Sequence, residues 1–308
     1  MDPLSDVLSL LKLHSYACGG FDVGAQLCIQ FSKHAGIKCY ALVSGQAWLS
    51  VEGVSEPVLL KAGDCFLLPR GLPFCLASEL GLPPVDFFTL RKDAKNGAIG
   101  QYHGGGQFFI VGGHFALAGN HTGILLGALP AIVHLQKESD KTVLRSSIER
   151  LMEELREPQP GGHLIAQYIA HTMLLQALRL HLSDASHDQV GWLFALADKQ
   201  IGAAITALHE KPGHRWTLWE LAERVGMSRS TFAQKFKDTV GESPMEYLTR
   251  WRMLVAGEKL VSSTDPVSVI SLALGYESEA AFSTAFKRVM GCSPRQYGRG
   301  DRPGARAH

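Results

Sequence analysis

What the 308 residues do not contain narrows the field before any motif is considered. No apolar run approaches the ~20 residues that a membrane-spanning helix needs, so a helical membrane protein is excluded and no membrane partner is expected. Charge is sparse and balanced: 30 Lys and Arg against 29 Asp and Glu leave a net charge of +1, which argues against a polyelectrolyte tail. The opening stretch MDPLSDVLSLLKLHS carries Asp2 and Asp6 and lacks a basic start, so it reads poorly as a secretory leader. The six cysteines (Cys18, Cys28, Cys39, Cys65, Cys75 and Cys292) include no CxxC or other metal-type spacing. Five of them lie in the first 75 residues among apolar neighbours, as in GDCFLL, which predicts free thiols in a reducing cytoplasm. The histidines are scattered; His114 and His121 form no cluster and read as surface or core side chains.

What is present has the bulk of two soluble domains, with 46% hydrophobic and 19% charged residues. Residues 196–308 hold 16 Lys and Arg against 12 Asp and Glu, an excess of four, while the remainder is mildly acidic. That asymmetry hints at a polyanion partner for the C-terminal part. Between about residues 20 and 125, short apolar runs alternate with Gly- and Pro-bearing turns: QLCIQF, IKCYALVSG, QAWLSVEG, PVLLKAGDCFLLPRGLPF, VDFFTL, QFFIVGG and HFALAG. This spacing predicts an all-β sandwich or small barrel over residues 1–130. From residue 131 the texture is helical. AIVHLQKESDKTVLRSSIERLMEELRE places Leu144, Ile148, Leu151 and Leu155 three or four apart, and PQPGG stops it. In HLIAQYIAHTMLLQALRLHL, Ile165, Ile169, Leu175, Leu178 and Leu182 share a wide apolar arc that needs either the sandwich or a second copy as partner. Residues 131–195 are therefore predicted to be a helical linker and dimerisation region, with SDASHDQVG as the hinge; residues 196–300 are all-α and 301–308 a flexible tail.

The C-terminal part writes one phrase twice. FAQKFKDTVGESPMEY at 232–247 returns fifty residues later as FSTAFKRVMGCSPRQY at 282–297. Phe232, Phe236 and Val240 fall at i, i+4 and i+8, as do Phe282, Phe286 and Met290, so each copy is a helix with one buried stripe. Gly241 and Gly291 stand where a left-handed helix end is wanted. Ser243 and Ser293 can cap the next helix, with Pro244 and Pro294 in its first turn. A shorter helix precedes each copy, TLWELAERV before GMS and VSVISLALG before YES. Short helix, tight turn with Gly and second helix together make a helix-turn-helix, and the duplication predicts two in one domain.

With the phenylalanines inward, the opposite face of the first copy displays Ser228, Arg229, Ser230, Thr231, Gln234, Lys235 and Lys237. Hydroxyls, an amide and cations are the groups that contact phosphates and base edges. Gln234 suits an adenine edge, and Arg229 and Lys235 suit phosphate or guanine. The second copy displays Ser278, Glu279, Ala280, Ser283, Thr284, Lys287 and Arg288. Its acid is awkward beside phosphates, so it is expected to anchor more than to read sequence. A solvated helix face is the plain alternative, weakened by its occurring twice with a turn of the right length.

These residues bring a family into view. WTLWELAERVGMSRSTFAQKFKDTVGESPMEYLTRWRM and VSVISLALGYESEAAFSTAFKRVMGCSPRQY resemble the AraC/XylS-type DNA-binding domain, over about a third of the chain. The resemblance implies seven helices, two helix-turn-helix units joined by a long helix near 244–256, and recognition helices in adjacent major-groove segments of promoter DNA. It implies base contacts from Ser230, Ala233 and Gln234 in one unit and from Glu279, Ala280, Ser283 and Thr284 in the other. It also implies a transcription regulator, activator or repressor, that works with RNA polymerase, and the apolar arc of the helix before the hinge makes a homodimer the expectation.

The N-terminal part is similar to the cupin-type sensor domain attached to many such regulators. GDCFLLPRGLPF at 63–74 resembles the second cupin motif, but Phe74 stands where that motif has a metal-binding histidine. Lys38, seven residues before Gly45, stands where the first motif has its glutamate, and only His34 loosely fits the paired-histidine region. A metal needs three or four converging nitrogen or carboxylate ligands, so neither metal nor cofactor is expected and a cupin enzyme is disfavoured. A small effector is expected in the β domain, with Cys39, Trp48, Phe66, Phe74 and Cys75 as candidate lining. An oxidant is the other candidate signal, with Cys18 in YACGGFD, read as exposed beside a Gly turn, as the thiol. A third reading, a helical adaptor for protein partners, differs from a regulator in lacking salt-dependent binding to duplex DNA.

Overall fold

A computed structural model describes residues 2–11, 13–92, 99–117, 129–184 and 190–299. Two compact units emerge, one of residues 13–184 and the other of residues 1–12 together with 185–308. The sequence boundaries fall elsewhere, because two segments pack where composition alone does not send them.

The first unit is a curled ten-stranded sheet backed by helices. Its strands are β1 (Leu13–Val23), β2 (Cys28–Phe31), β3 (Ile37–Val51), β4 (Val58–Lys61), β5 (Cys65–Leu68), β6 (Phe74–Ala77), β7 (Pro84–Asp86), β8 (Ile99–Tyr102), β9 (Phe108–Leu117) and β10 (Val133–Leu135). The fifteen-residue β3 joins both layers. Its first half pairs β9 and β5, with Lys38 opposite His114 and Leu68; its second half pairs β4 and β6. The sequence predicts two strands here, split at Gly45. Gly45 does take a left-handed φ of 78°, and the register against β9 shifts between Leu42 and Ser44. The result is a bend that carries one strand from layer to layer without a break. Likewise QFFIVGG and HFALAG merge into β9.

The two-residue side-chain period fills the interior with Tyr40, Leu42, Ala47, Leu49, Phe66, Leu68, Phe74, Leu76, Phe108 and Ile110. VDFFTL is not a strand throughout: Asp86 Oδ1 accepts from the backbone N–H of Phe88 and Thr89 at 2.9 and 3.2 Å and starts helix α2 (Phe87–Lys92). Residues 133–135, read as helical from sequence, form β10 against β5. Buried Asp64 holds that junction. It accepts from Lys61 N–H at 2.9 Å, meets His134 Nε2 at 2.8 Å and pairs with Lys141 Nζ at 3.1 Å.

Helices α3 (Glu138–Arg156) and α4 (Gly162–Asp184) pack on each other, and α4 also packs on β1, β9 and β5. Leu144, Ile148, Leu151 and Leu155 are buried as predicted. On α4 the buried side is Ala166, Ile169, Ala170, Met173, Leu174, Ala177 and Leu178, while Leu164, Ile165 and Tyr168 are exposed. The segment expected to be a helical linker and dimerisation region, with the sandwich or a second copy against its apolar arc, thus covers the sheet. The hinge residues 185–189 and the tail 301–308 lie outside the described residues.

The second unit holds α1 (Pro3–Leu11), α5 (Trp192–Ala195), α6 (Lys199–Glu210), α7 (Leu218–Arg224), α8 (Arg229–Val240), α9 (Pro244–Ser262), α10 (Val267–Ala273), α11 (Glu279–Met290) and α12 (Pro294–Gly298). The N-terminal helix α1 packs on α6 and α9. At that contact the His209 ring stacks on Trp251 at 3.7 Å, its Nε2 is 2.8 Å from the Tyr247 hydroxyl, and its Nδ1 is 3.5 Å from Asp6 Oδ2. Burial lowers the His209 pKa to about 3. A histidine neutral in the fold but protonatable once unfolded favours the unfolded chain as pH falls from about 6.5 towards 3. The second unit should therefore lose stability across that window. In denaturant melts from pH 7 to 4, His209→Phe, which keeps the stack, should flatten the decline.

Candidate nucleic-acid interface

Each copy of the repeated phrase builds the same corner from the same local causes. In the first, Thr217 caps α7 and Leu221 and Ala222 are buried. Gly226 turns the chain with φ of 68°, and Ser228 accepts from Thr231 N–H to start α8. Phe232 and Phe236 are fully buried, and Gly241 closes α8 with φ of 90°. In the second, Ile270 is buried, Gly275 turns with φ of 80°, and Ser278 accepts from Ala281 N–H to start α11. Phe282 and Phe286 are fully buried, and Gly291 closes the helix with φ of 78°. Ser243 with Glu246 and Ser293 with Gln296 then form capping boxes, with Pro244 and Pro294 in the first turns of α9 and α12. From Lys199 onward there are seven helices among the described residues, and the long α9 links the two corners.

The corners are locked to each other. Arg252 of α9 donates through Nε to Pro212 C=O at 2.6 Å and through Nη2 to His214 C=O at 2.8 Å, and its guanidinium lies 5.6 Å from the centre of the Tyr276 ring. The chain around Gly213 runs against the turn of the second corner. A Cβ on Gly213 would stand 2.3 Å from Ala273 C=O, and one on Gly275 would stand 2.4 Å from Gly213 C=O. Both positions exclude side chains for lack of room. The duplicated helices are therefore held at a fixed mutual orientation.

Their outward faces are polar and open. Ser228, Arg229, Ser230, Thr231, Gln234 and Lys237 are exposed, as are Ser278, Ala280, Thr284, Lys287 and Arg288, while Ser283 is half-buried. Arg229, Lys237, Lys287 and Arg288 make no ion pair among the described residues. The Glu246 carboxyl sits below its ordinary range because Ser243 donates to it, with Lys237 and Arg288 adding to the effect. The cationic ends of α8 and α11 thus converge on the start of α9. Gln234 Nε2 donates to Asp238 at 2.8 Å, a contact along the exposed helix face.

Two expected members of the interface are engaged elsewhere. Lys235 is half-buried, pairs with Asp198 at 2.7 Å and donates to Gln200 Oε1 at 3.2 Å, tying α8 to the cap of α6. Its long side chain turns inward to reach an acid supplied 37 positions upstream, which helical periodicity does not register. Glu279 is half-buried and lies 3.6 Å from Arg295.

In the β unit only part of the candidate lining faces inward. Phe66 and Phe74 belong to the interior cluster. Cys39 alternates with Tyr40 on β3 and so faces the other side of the sheet, beside Cys65 and Cys18. Trp48 and Cys75 are half-buried and alternate with the inward Leu49 and Phe74, so they too point away from the interior. Cys18 lies within β1, not at a turn: Gly19 and Gly20 pair with Gly112 and Val111 of β9. It is half-buried, its Sγ approaches Ala166 C=O at 3.6 Å, and burial pushes its pKa up to about 11. That is the opposite of the exposed, low-pKa thiol expected from sequence. Cys28 is likewise pushed to about 11, chiefly by burial, and Cys75 is raised by burial too.

The residues at the cupin metal positions do not suit a metal. Phe74 has no donor atom and Lys38 contributes a cation. Among the described residues no three His, Cys, Asp or Glu side chains are grouped to hold an ion, and no helix is long and apolar enough to cross a membrane.

Comparison with known proteins agrees with this architecture. A cupin family model matches residues 2–183 and a helix-turn-helix domain model matches residues 221–300. A protein of Streptomyces antibioticus described as an AraC-like transcription regulator is 38% identical over 96% of this chain and 98% of its own length. The RCS-specific HTH-type transcriptional activator RclR of Escherichia coli is 36% identical over 83% of this chain and 89% of its own. The HTH-type transcriptional regulator AlkR of Acinetobacter baylyi is 31% identical over 77% and 79%.

Proposed function

Because the chain belongs to the AraC-like transcription regulators, a DNA-binding family with a cupin-like N-terminal domain, we propose that α8 and α11 read and grip two successive major-groove segments of promoter DNA under the control of the β unit. The observation that carries this reading is the pair of capped helices, fifty positions apart, whose exposed faces hold small polar groups, and cations without an ion pair among the described residues, on one locked scaffold.

Roles follow from chemistry. Gln234 offers a donor and an acceptor to an adenine edge, with Ser230 and Ala233 beside it, Ala233 suiting only an apolar contact such as a thymine methyl. Arg229, Lys237, Lys287 and Arg288 neutralise phosphates, helped by the hydroxyls of Ser228, Thr231, Ser278, Ser283 and Thr284. Lys235 is left out as a structural ion pair, and the pairing of Glu279 with Arg295 supports anchoring over readout for α11.

The β unit senses a small molecule in this reading. An oxidant is the second reading, and the raised pKa of Cys18 weighs against it. Exposed Leu164, Ile165 and Tyr168 on α4 support homodimerisation through that helix. RNA polymerase would be the partner that turns occupancy into activation, in the cytoplasm.

The test is selection of bound duplexes from a random pool, followed by titration. Gln234→Ala should relax preference at one base pair, costing about 1–3 kcal/mol against the preferred sequence. Lys237→Ala should weaken all duplexes alike and lower the salt slope by about 1. Unchanged affinity and preference in Gln234→Ala would show that the reading face is misassigned.

A further inference from the structure

Two major-groove segments on one face of a duplex are separated by a minor groove, so whatever the protein places between its two corners faces that groove. The stretch KPGHRW at 211–216, between α6 and α7, runs there. Its Gly213 lies against Ala273 at the end of α10 and Gly275 in the turn of the second corner. Its Trp216 leads directly to Thr217, the cap of α7 in the first corner.

This stretch is closed on itself. His214 N–H donates to Lys211 C=O at 3.1 Å, and Trp216 Nε1 donates to the same carbonyl at 3.0 Å. Trp216 N–H donates to His214 C=O at 2.9 Å, which makes a three-residue turn with Arg215 at its apex. Arg252 donates to the carbonyls of Pro212 and His214, and Trp216 is buried. The backbone on both sides of Arg215 is thus pinned, while its own side chain is 74% exposed. Nothing in the packing of the loop calls for an arginine at that apex.

Arg215 Nη1 lies 3.0 Å from Glu277 Oε1, and the glutamate side chain is 76% exposed. An ion pair this open adds little stability, so the arginine can exchange it for a stronger negative field at small cost. Its place is informative. Glu277 immediately precedes Ser278, the cap of α11. In a helix-turn-helix the start of the recognition helix meets base edges and the first helix crosses the backbone. An arginine held beside the cap of α11 and two residues before the cap of α7 therefore stands on the DNA side of both corners.

We propose that Arg215 enters the minor groove between the segments occupied by α8 and α11, and that the chain therefore prefers A·T pairs at the centre of its site. The narrow groove of A·T-rich DNA carries an enhanced negative potential, and its floor presents only acceptors. A guanidinium brings only donors and is weakly hydrated, so it matches that floor and leaves water readily. A G·C pair places an amine donor there instead and repels it. Glu277 holds the side chain in place until DNA arrives. This rests on the reading of α8 and α11 as occupants of consecutive grooves.

The experiment measures binding of the full chain to one selected duplex whose two footprint patches are kept constant. The pairs midway between them are made A·T, G·C or inosine·cytosine. Inosine·cytosine keeps the major-groove edge of G·C but lacks the minor-groove amine, so it isolates readout from the minor groove. The wild type should bind the A·T and inosine·cytosine centres alike and the G·C centre about tenfold more weakly. Arg215→Ala should keep the wild-type melting midpoint, bind all three centres alike, and show a salt slope smaller by about 1. A G·C penalty shared by inosine·cytosine, or one that persists in Arg215→Ala, would overturn the assignment. A wild type that protects a single patch refutes the two-groove reading and the assignment with it. Two patches with indifference to the centre refute the assignment alone.

Discussion

Phe286→Ala should destabilise the second unit by about 3–5 kcal/mol, the range for emptying a buried phenylalanine site. Phe286 is fully buried in a cluster with Met253, Ile270, Leu274, Phe282 and Tyr297, its ring 5.7 Å from that of Phe282 and 5.4 Å from that of Tyr297. These side chains come from α9, α10, α11 and α12, so one cavity loosens every joint of the second corner. A unit of this size should melt roughly 15 °C or more below the wild type, and DNA affinity should fall because α11 no longer holds its angle to α8. Calorimetry and far-UV dichroism read the first effect and anisotropy titration the second. A loss under about 1 kcal/mol would mean that the repeated aromatic stripe is not the spine of the corner.

The second large effect concerns charge on an intact fold. Lys237→Glu combined with Arg288→Glu changes two exposed side chains that make no ion pair among the described residues and lie near the start of α9. Each wild-type cation that neutralises a phosphate releases counterions, so losing two should flatten the slope of log affinity against log salt by about 2. Reversal adds repulsion, and affinity near 0.1 M salt should fall by about 100-fold or more. Titrations of a selected duplex at three salt concentrations measure both quantities. Affinity within about threefold of the wild type would place the DNA on another face.

The C-terminal corners were legible in the sequence because their causes are local. Phenylalanines four apart, a glycine at the helix end and a serine-proline start each act within one turn, and the second copy repeats the message. Lys235 marks the limit of that legibility. From Arg229 onward it looks like one more exposed cation, yet Asp198 and Gln200 reach it from another helix.

The β unit was legible as a class and not in detail. Alternation finds strands but does not reveal a bend that keeps one strand running through Gly45 into the second layer. Asp86 ends a strand by capping a helix, a choice made by one side chain within an apolar run. For Cys39, Trp48 and Cys75, apolar character was visible, but the side each faces depends on register, which flips with a single residue. Cys18 looked exposed because two glycines follow it; those glycines are strand residues paired with another glycine and a valine of β9. Lys38 drew notice only as a departure from a motif and His34 as a loose fit to one, and the meeting of Lys38 with His114 depends on the pairing of β3 with β9.

The central claim is that α8 and α11 occupy two consecutive grooves on one side of the DNA. Hydroxyl-radical footprinting of the full chain on a selected duplex tests it directly. The account predicts two protected patches on one face, about one helical turn apart, with the patch assigned to α11 lost selectively in Lys287→Glu with Arg288→Glu. A single patch that this substitution leaves untouched would contradict it.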